Sequence, residues 1–185
     1  MGSTYRPALI LLIVTAVTGV LLGFIQNLTA EPIRLTRERE RAEALRRALP
    51  EAETFRPVEG DPSWAVVSVE EGLAGDRLVG YCITVDAPGY GDDIRLLVGV
   101  DGEGTVTGLE VLSHAETPGL GAKAAEEPFR AHFRGMTGPV EVTKQQPGPN
   151  EIEAISGATI TTRAVADGVN RALDVFRQVK GGGVS

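Results

Sequence analysis

Cysteine is almost missing: among 185 residues there is one, Cys82. That excludes an intrachain disulfide framework and a zinc or iron–sulfur centre built on cysteine. Two histidines, His114 and His132, are too few for a His-rich metal site, so no metal ligand set is expected. Aromatics are only 5% of the chain, which argues against stacking platforms for single-stranded nucleic acid. Basic residues are in deficit, with Lys+Arg 18 against Asp+Glu 25 and a net charge of −7. A duplex binder needs a basic face, so nucleic acid is not an expected partner. There is no Gly-x-Ser-x-Gly elbow, no His-Glu-x-x-His and no Cys-x-x-Cys. The common hydrolase and metalloenzyme readings lose support with them, and no catalytic residue is assigned.

What is present describes a folded chain, 42% hydrophobic and 23% charged. Its length suits one main domain. Arginine is concentrated in the first 50 residues, and the acidic excess belongs to the remainder. Ala8 to Ile25 is a run of 18 residues without a charge. As a helix it spans roughly 27 Å, close to a bilayer's hydrocarbon core, and it predicts a membrane anchor within residues 1–30. A cleaved signal peptide is the alternative, with Arg6 before the run and Ala30 at its end, although such apolar regions are about 7–15 residues long. Both readings place the chain at a membrane. Arg34, Arg37, Arg39, Arg41, Arg46 and Arg47 all follow the run. By the positive-inside rule they put the main domain in the cytoplasm, although long domains translocate against this bias.

The rest reads as an α+β domain behind a stalk. Thr29 is placed to cap a helix that takes Pro32 in its first turn and ends near Ala48, before Pro50. Its Arg/Glu content predicts a solvated stalk over residues 31–50, not a core helix. Strands are expected at Trp64–Val69, Leu78–Val85, Ile94–Val100 and Thr105–Leu112. Asp101-Gly102-Glu103-Gly104 supplies a hairpin turn between the last two. A short helix near Glu126–Phe133 and strands near Val140–Thr143 and Glu153–Ile155 follow. Val165, Val169, Ala172, Phe176 and Val179 recur at helical spacing in a final helix. Gly181–Gly183 end it. The domain is therefore assigned to residues 51–180, with a frayed tail at 181–185.

Two stretches carry candidate chemistry. Ser156-Gly157-Ala158-Thr159-Ile160-Thr161-Thr162 is a strand-to-helix turn of small and hydroxyl residues. Gly157 and Ala158 permit close approach to the backbone, and a helix N-terminus suits a phosphate. Thr161 or Thr162 is the expected N-cap. The same residues also satisfy a glycine turn followed by threonine caps, with no ligand, and chemistry alone favours that simpler reading. The second stretch, His114-Ala115-Glu116-Thr117-Pro118-Gly119-Leu120-Gly121-Ala122-Lys123, holds a turn and a candidate acid/base pair, His114 and Glu116. Such a pair is more often solvated at the end of a strand. A third, Pro88-Gly89-Tyr90-Gly91-Asp92-Asp93, lacks the Gly-Lys-Ser/Thr ending of a phosphate-binding Walker loop.

An apolar N-terminal run, the His-x-Glu-Thr-Pro-Gly-Leu-Gly loop and a Ser-Gly-Ala-Thr turn before a C-terminal helix together resemble the FMN-binding domain family, in its branch of Rnf-type electron-transport complex G subunits. The resemblance covers essentially the whole chain. It implies one covalent FMN, its phosphate esterified by a separate flavin transferase to the threonine ending Ser-Gly-Ala-Thr, here Thr159; the linkage makes the chain a phosphoprotein. Ser156, Gly157, Ala158 and Thr161 would surround the attachment. Glu116, Thr117, Gly119 and Leu120, with His114 and Lys123, would lie near the ring. Gly121-Ala122-Lys123-Ala124-Ala125 departs from the pattern, which has an acidic residue before the lysine and a bulkier one after it. The resemblance further implies an electron-relay subunit, not a stand-alone catalyst, in an inner-membrane complex coupling ferredoxin–NAD electron transfer to ion movement. Its partners would be the other complex subunits and membrane lipid, with the flavin domain on the periplasmic face, against the arginine count. Two alternatives are the usually longer C subunit of a sodium-translocating NADH:quinone oxidoreductase and a non-redox anchored scaffold.

Overall fold

The computed structural model describes the backbone of residues 5–59 and 61–181, and their side chains apart from those of 5, 6, 23, 25–35 and 62. The chain start, the side chains of Thr29 and Pro32 and tail residues 182–185 lie outside the described residues. The chain divides into two compact units, Met1–Arg41 and Ala42–Ser185.

Helix α1 runs from Tyr5 to Ala48. Thr29 therefore lies within a helix and starts none, which corrects the expected break. Pro32 removes one backbone N–H, and long helix-favouring stretches on both sides outweigh that single loss. In the first unit Leu9, Leu11, Val20 and Phe24 are more than half exposed. Among the described residues no helix is long and apolar enough to cross a membrane. The apolar run from Ala8 includes Gly23 and Ile25, whose side chains lie outside the described set.

The second unit is built on a five-stranded antiparallel sheet in sequential order: β1 Thr54–Pro57, β2 Ser68–Ala74, β3 Arg77–Pro88, β4 Asp93–Asp101 and β5 Val106–Ser113. Alternation sorts its side chains to two faces. Ile83, Val85, Leu96 and Val98 face the first. They pack in one core with Val165, Val169, Ala172 and Phe176 of the C-terminal helix, Thr159–Gly181, here α3. Cys82 and Leu97 face the second, packed with Ala44, Leu45, Ala48 and Leu49. Those four fall at helical spacing on the last turns of α1 and just after it, and they correct the expectation of a solvated stalk at residues 44–49, while residues 36–43 are exposed. Apolar side chains at 44, 45, 48 and 49 make a stripe despite the neighbouring arginines. The hydroxyl of Thr107 on β5 donates to the Ala48 carbonyl at 2.5 Å, satisfying one orphan acceptor of the helix end. Arg47 pairs with buried Glu110 at 3.0 Å.

Other boundaries also move. The strand expected at Trp64–Val69 holds only at its last two residues: Pro62–Trp64 is a 3-10 turn capped by Asp61, and β2 begins at Ser68. Strand β1 is an addition to the expected set. The helix near 126–133 is α2, Glu127–Arg130, continued by a 3-10 turn at Ala131–Phe133. Two short parallel strands, β6 Glu141–Thr143 and β7 Glu151–Glu153, form a second sheet, β7 lying two residues earlier than expected. Asn170 of α3 clamps the residue just before β6, accepting from the Val140 N–H at 2.6 Å and donating to its carbonyl at 3.0 Å.

Candidate cofactor-binding site

Register brings the turn joining β3 to β4 beside the exit of β5, because Pro88 pairs with Asp93 and Arg95 with Ser113. The N-terminus of α3 reaches the same end. Between them is a cavity of about 550 Å³ lined by Tyr90, Glu116, Thr117, Leu120, Gly121 and residues 157–161. The volume lies within the range of small-molecule and cofactor sites.

Glu116 joins the three segments. It is 6% exposed. Its Oε1 accepts from the backbone N–H groups of Tyr90 at 2.8 Å and Gly91 at 3.1 Å, and its Oε2 accepts from the Thr161 hydroxyl at 2.5 Å. Burial pushes its carboxyl pKa up, but the Thr161 hydroxyl, the Gly91 and Tyr90 N–H groups and the nearby His114 ring outweigh this and hold it below the usual carboxylate range. A Cβ on Gly89 would stand 2.5 Å from its Oε1, and one on Gly121 would stand 2.3 Å from its Oε2. Both glycines are thus required for the loops to close on the carboxylate.

Thr159 is the first residue of α3 and is half-buried on the cavity wall. Gly157 makes the preceding turn at φ +77°. Ala158, and neither Thr161 nor Thr162, occupies the cap position, since its carbonyl accepts the Thr162 N–H at 3.0 Å. This corrects the expected threonine cap. Both hydroxyls are engaged elsewhere: Thr161 on Glu116, and Thr162 donating to the Ala158 carbonyl and accepting from the Ile155 N–H, each at 3.0 Å. A helix N-terminus carries free N–H groups and partial positive charge, which is the chemistry of an anion site.

Of the expected residues, Glu116, Thr117, Leu120, Gly157, Ala158, Thr159 and Thr161 line the cavity. Ser156, Gly119, His114 and Lys123 do not line it and are solvent-exposed. His114 meets Glu116 through the backbone, its Nδ1 accepting the Glu116 N–H at 3.2 Å, so the expected acid/base pairing of side chains is not formed. Tyr90, Gly121 and Ile160 line the cavity without having been expected there. The available signal was an aromatic between two glycines, in the stretch that lacks a Walker ending.

This fold and site define an FMN-binding domain: the family model so described matches residues 89–174. Similar proteins extend the match over nearly the full length. The G subunit of an ion-translocating oxidoreductase complex from Methanosarcina acetivorans is 32% identical, covering 92% of this chain and 93% of its own. The G subunit of a proton-translocating ferredoxin:NAD(+) oxidoreductase complex from Clostridium ljungdahlii is 30% identical, covering 90% and 88%. The chain belongs to the G-subunit family of these ion-translocating oxidoreductase complexes. Among solved structures, the C subunit of a Na(+)-translocating NADH-quinone reductase from Parabacteroides distasonis shares the fold, with TM-score 0.54 and 24% identity over 69% of this chain and 73% of that one.

Proposed function

We propose that this chain is the membrane-anchored flavoprotein subunit of an Rnf-type complex, carrying one FMN esterified through its phosphate to Thr159. The carrying observation is the position of Thr159: first residue of α3, on the cavity wall, beside two threonines whose hydroxyls are already committed. The residues fit the group. The first N–H groups of α3 would face the phosphodiester's remaining negative charge. The exposed side chains of Tyr90, Leu120 and Ile160 offer apolar surface for a flat ring. FMN supplies the electron chemistry when bound, and the protein sets its position and surroundings. A threonine hydroxyl is a poor nucleophile, so attachment needs a transferase, and the exposed Ser156-Gly157 turn leaves it access.

Membrane anchoring is part of this reading. The exposed apolar side chains of α1 from Leu9 to Phe24 support it, as large exposed apolar surface marks membrane or protein contact. We place the flavin domain on the periplasmic side, with the other complex subunits, the transferase and lipid as partners. The sodium-translocating quinone-reductase alternative is supported at the level of fold alone.

Peptide mass spectrometry of the segment containing Ser156–Thr162, from native membranes, tests the assignment. The expected result is one FMN less one water, localised to Thr159. Thr159→Ala should give a folded, colourless protein that does not support electron transfer through the complex. Its stability should change by about 1 kcal/mol or less, since Thr159 is not the cap. Covalent flavin retained in that variant overturns the site; a native subunit without flavin overturns the function and leaves the scaffold alternative.

A further inference from the structure

The geometry points to Glu116 as the residue that sets the cofactor's readiness to give up electrons, by holding a fixed negative charge in the cavity wall that no lysine or arginine among the described residues pairs with. This deepens the flavoprotein reading and rests on it. Three observations carry it. First, the carboxylate lines the cavity at 6% exposure, so solvent screens it little from an occupant. Second, its three hydrogen-bond donors are the Thr161 hydroxyl and the N–H groups of Tyr90 and Gly91. All are neutral. They satisfy the oxygens and leave the charge in place, where an arginine or lysine would have cancelled it. The imidazole of His114 accepts the Glu116 backbone N–H through its Nδ1; its electrostatic pull on the carboxylate is the smallest of the influences that lower the Glu116 pKa.

Third, the surroundings are shaped to keep that carboxylate where it is. Gly89 and Gly121 leave no room for a Cβ between backbone and carboxylate oxygens. The group is anchored from the β3–β4 turn on one side and from α3 on the other, two residues beyond Thr159. It cannot swing out to water without breaking three hydrogen bonds. A protein that needed only a clasp between loops and helix could use a neutral amide of the same shape. Placing an ion there acts on whatever the cavity holds. When FMN takes up two electrons with one proton from solvent, it becomes one charge more negative. A fixed carboxylate opposes that change, lowering the reduction potential and making the loaded subunit a stronger reductant.

The charge and the clasp are separable with two substitutions in the flavin-loaded full-length protein. Glu116→Gln keeps the side chain's shape, an oxygen for the Tyr90 and Gly91 N–H groups and an N–H donor for Thr161, but removes the charge. Thr161→Val removes one clasp hydrogen bond and keeps the charge. Midpoint potentials come from spectroelectrochemical titration with dithionite as reductant. The expected result is an upward shift in Glu116→Gln of at least about tenfold in the reduction equilibrium, about 30 mV for two electrons, with no upward shift in Thr161→Val. An unchanged potential in Glu116→Gln overturns the inference. So does an equal rise in both variants, which assigns the effect to the hydrogen bond. Should Glu116→Gln fail to melt cooperatively, Glu116→Asp and Thr161→Val, both of which keep the charge, must stay near the wild-type potential; a rise in Thr161→Val sinks the idea by itself. Failure of the underlying reading looks different: the wild-type protein then carries no flavin to titrate.

Discussion

Glu116 is costly to bury and is held ionised by neutral donors, so one residue links the site to acid stability. Its pKa is lower folded than unfolded. The stability it contributes is therefore complete above the unfolded carboxylate pKa and is lost as pH falls through the folded one. Melting temperatures measured from neutral pH to about pH 2 should fall less steeply over the acid range in Glu116→Gln than in the wild type. Gly121→Ala tests the same contact sterically. Its new methyl would press on Glu116 and Thr161, and a loss of about 1–3 kcal/mol is expected in urea unfolding. How much of the site is legible in the sequence varies residue by residue. Thr159 stands out by motif, because the Ser-Gly-Ala-Thr turn and its neighbours are contiguous. Tyr90 stands out less, because it reaches the cavity through strand register, and its only local mark is its place between Gly89 and Gly91. The expected roles of His114 and Thr162 fail for a shared reason: a side chain's partner depends on which backbone groups the turn leaves open.

The strands legible in the sequence are the long ones. Strands β3 and β4 are covered on both faces, so they appear as continuous apolar runs bounded by turn residues. Strand β1 has four residues on the sheet edge, ending at Pro57, and offers no periodicity. Strand β2 is displaced from its expected place because Glu70, Glu71 and Gly72 look like a turn. Yet Glu70 is buried and Gly72 sits under Leu49 and Ala52, where a Cβ would collide. The end of α1 misleads for the opposite reason, its arginines masking an apolar stripe. Since Leu49 is 1% exposed, Leu49→Ala should cost about 2–5 kcal/mol by denaturant unfolding. A chain beginning at Ala42 should melt cooperatively, and one beginning at Glu51 should not, because the second sheet face would lie bare.

At the scale of the whole molecule, the membrane reading makes two checkable statements. N-terminal sequencing of membrane-derived protein should find the Ala8–Ile25 run retained; a mature start near Glu31 would mean a cleaved signal. A cysteine engineered at Gly181 should react with a membrane-impermeant reagent in intact cells if the main domain is periplasmic. Labelling only after lysis would side with the arginine count.

That labelling has a quiet background, because the native thiol is sealed. Cys82 is fully buried, with its sulfur 3.9 Å from the Leu45 carbonyl. It therefore doubles as a clock. An alkylating reagent can trap it only while the segment from Ala44 to Leu49 has lifted from the sheet, so the trapping rate under native conditions counts those openings. The absorbance of the proposed FMN would report on the other side, near the start of α3. Read together, the two signals tell which side of the sheet breathes first.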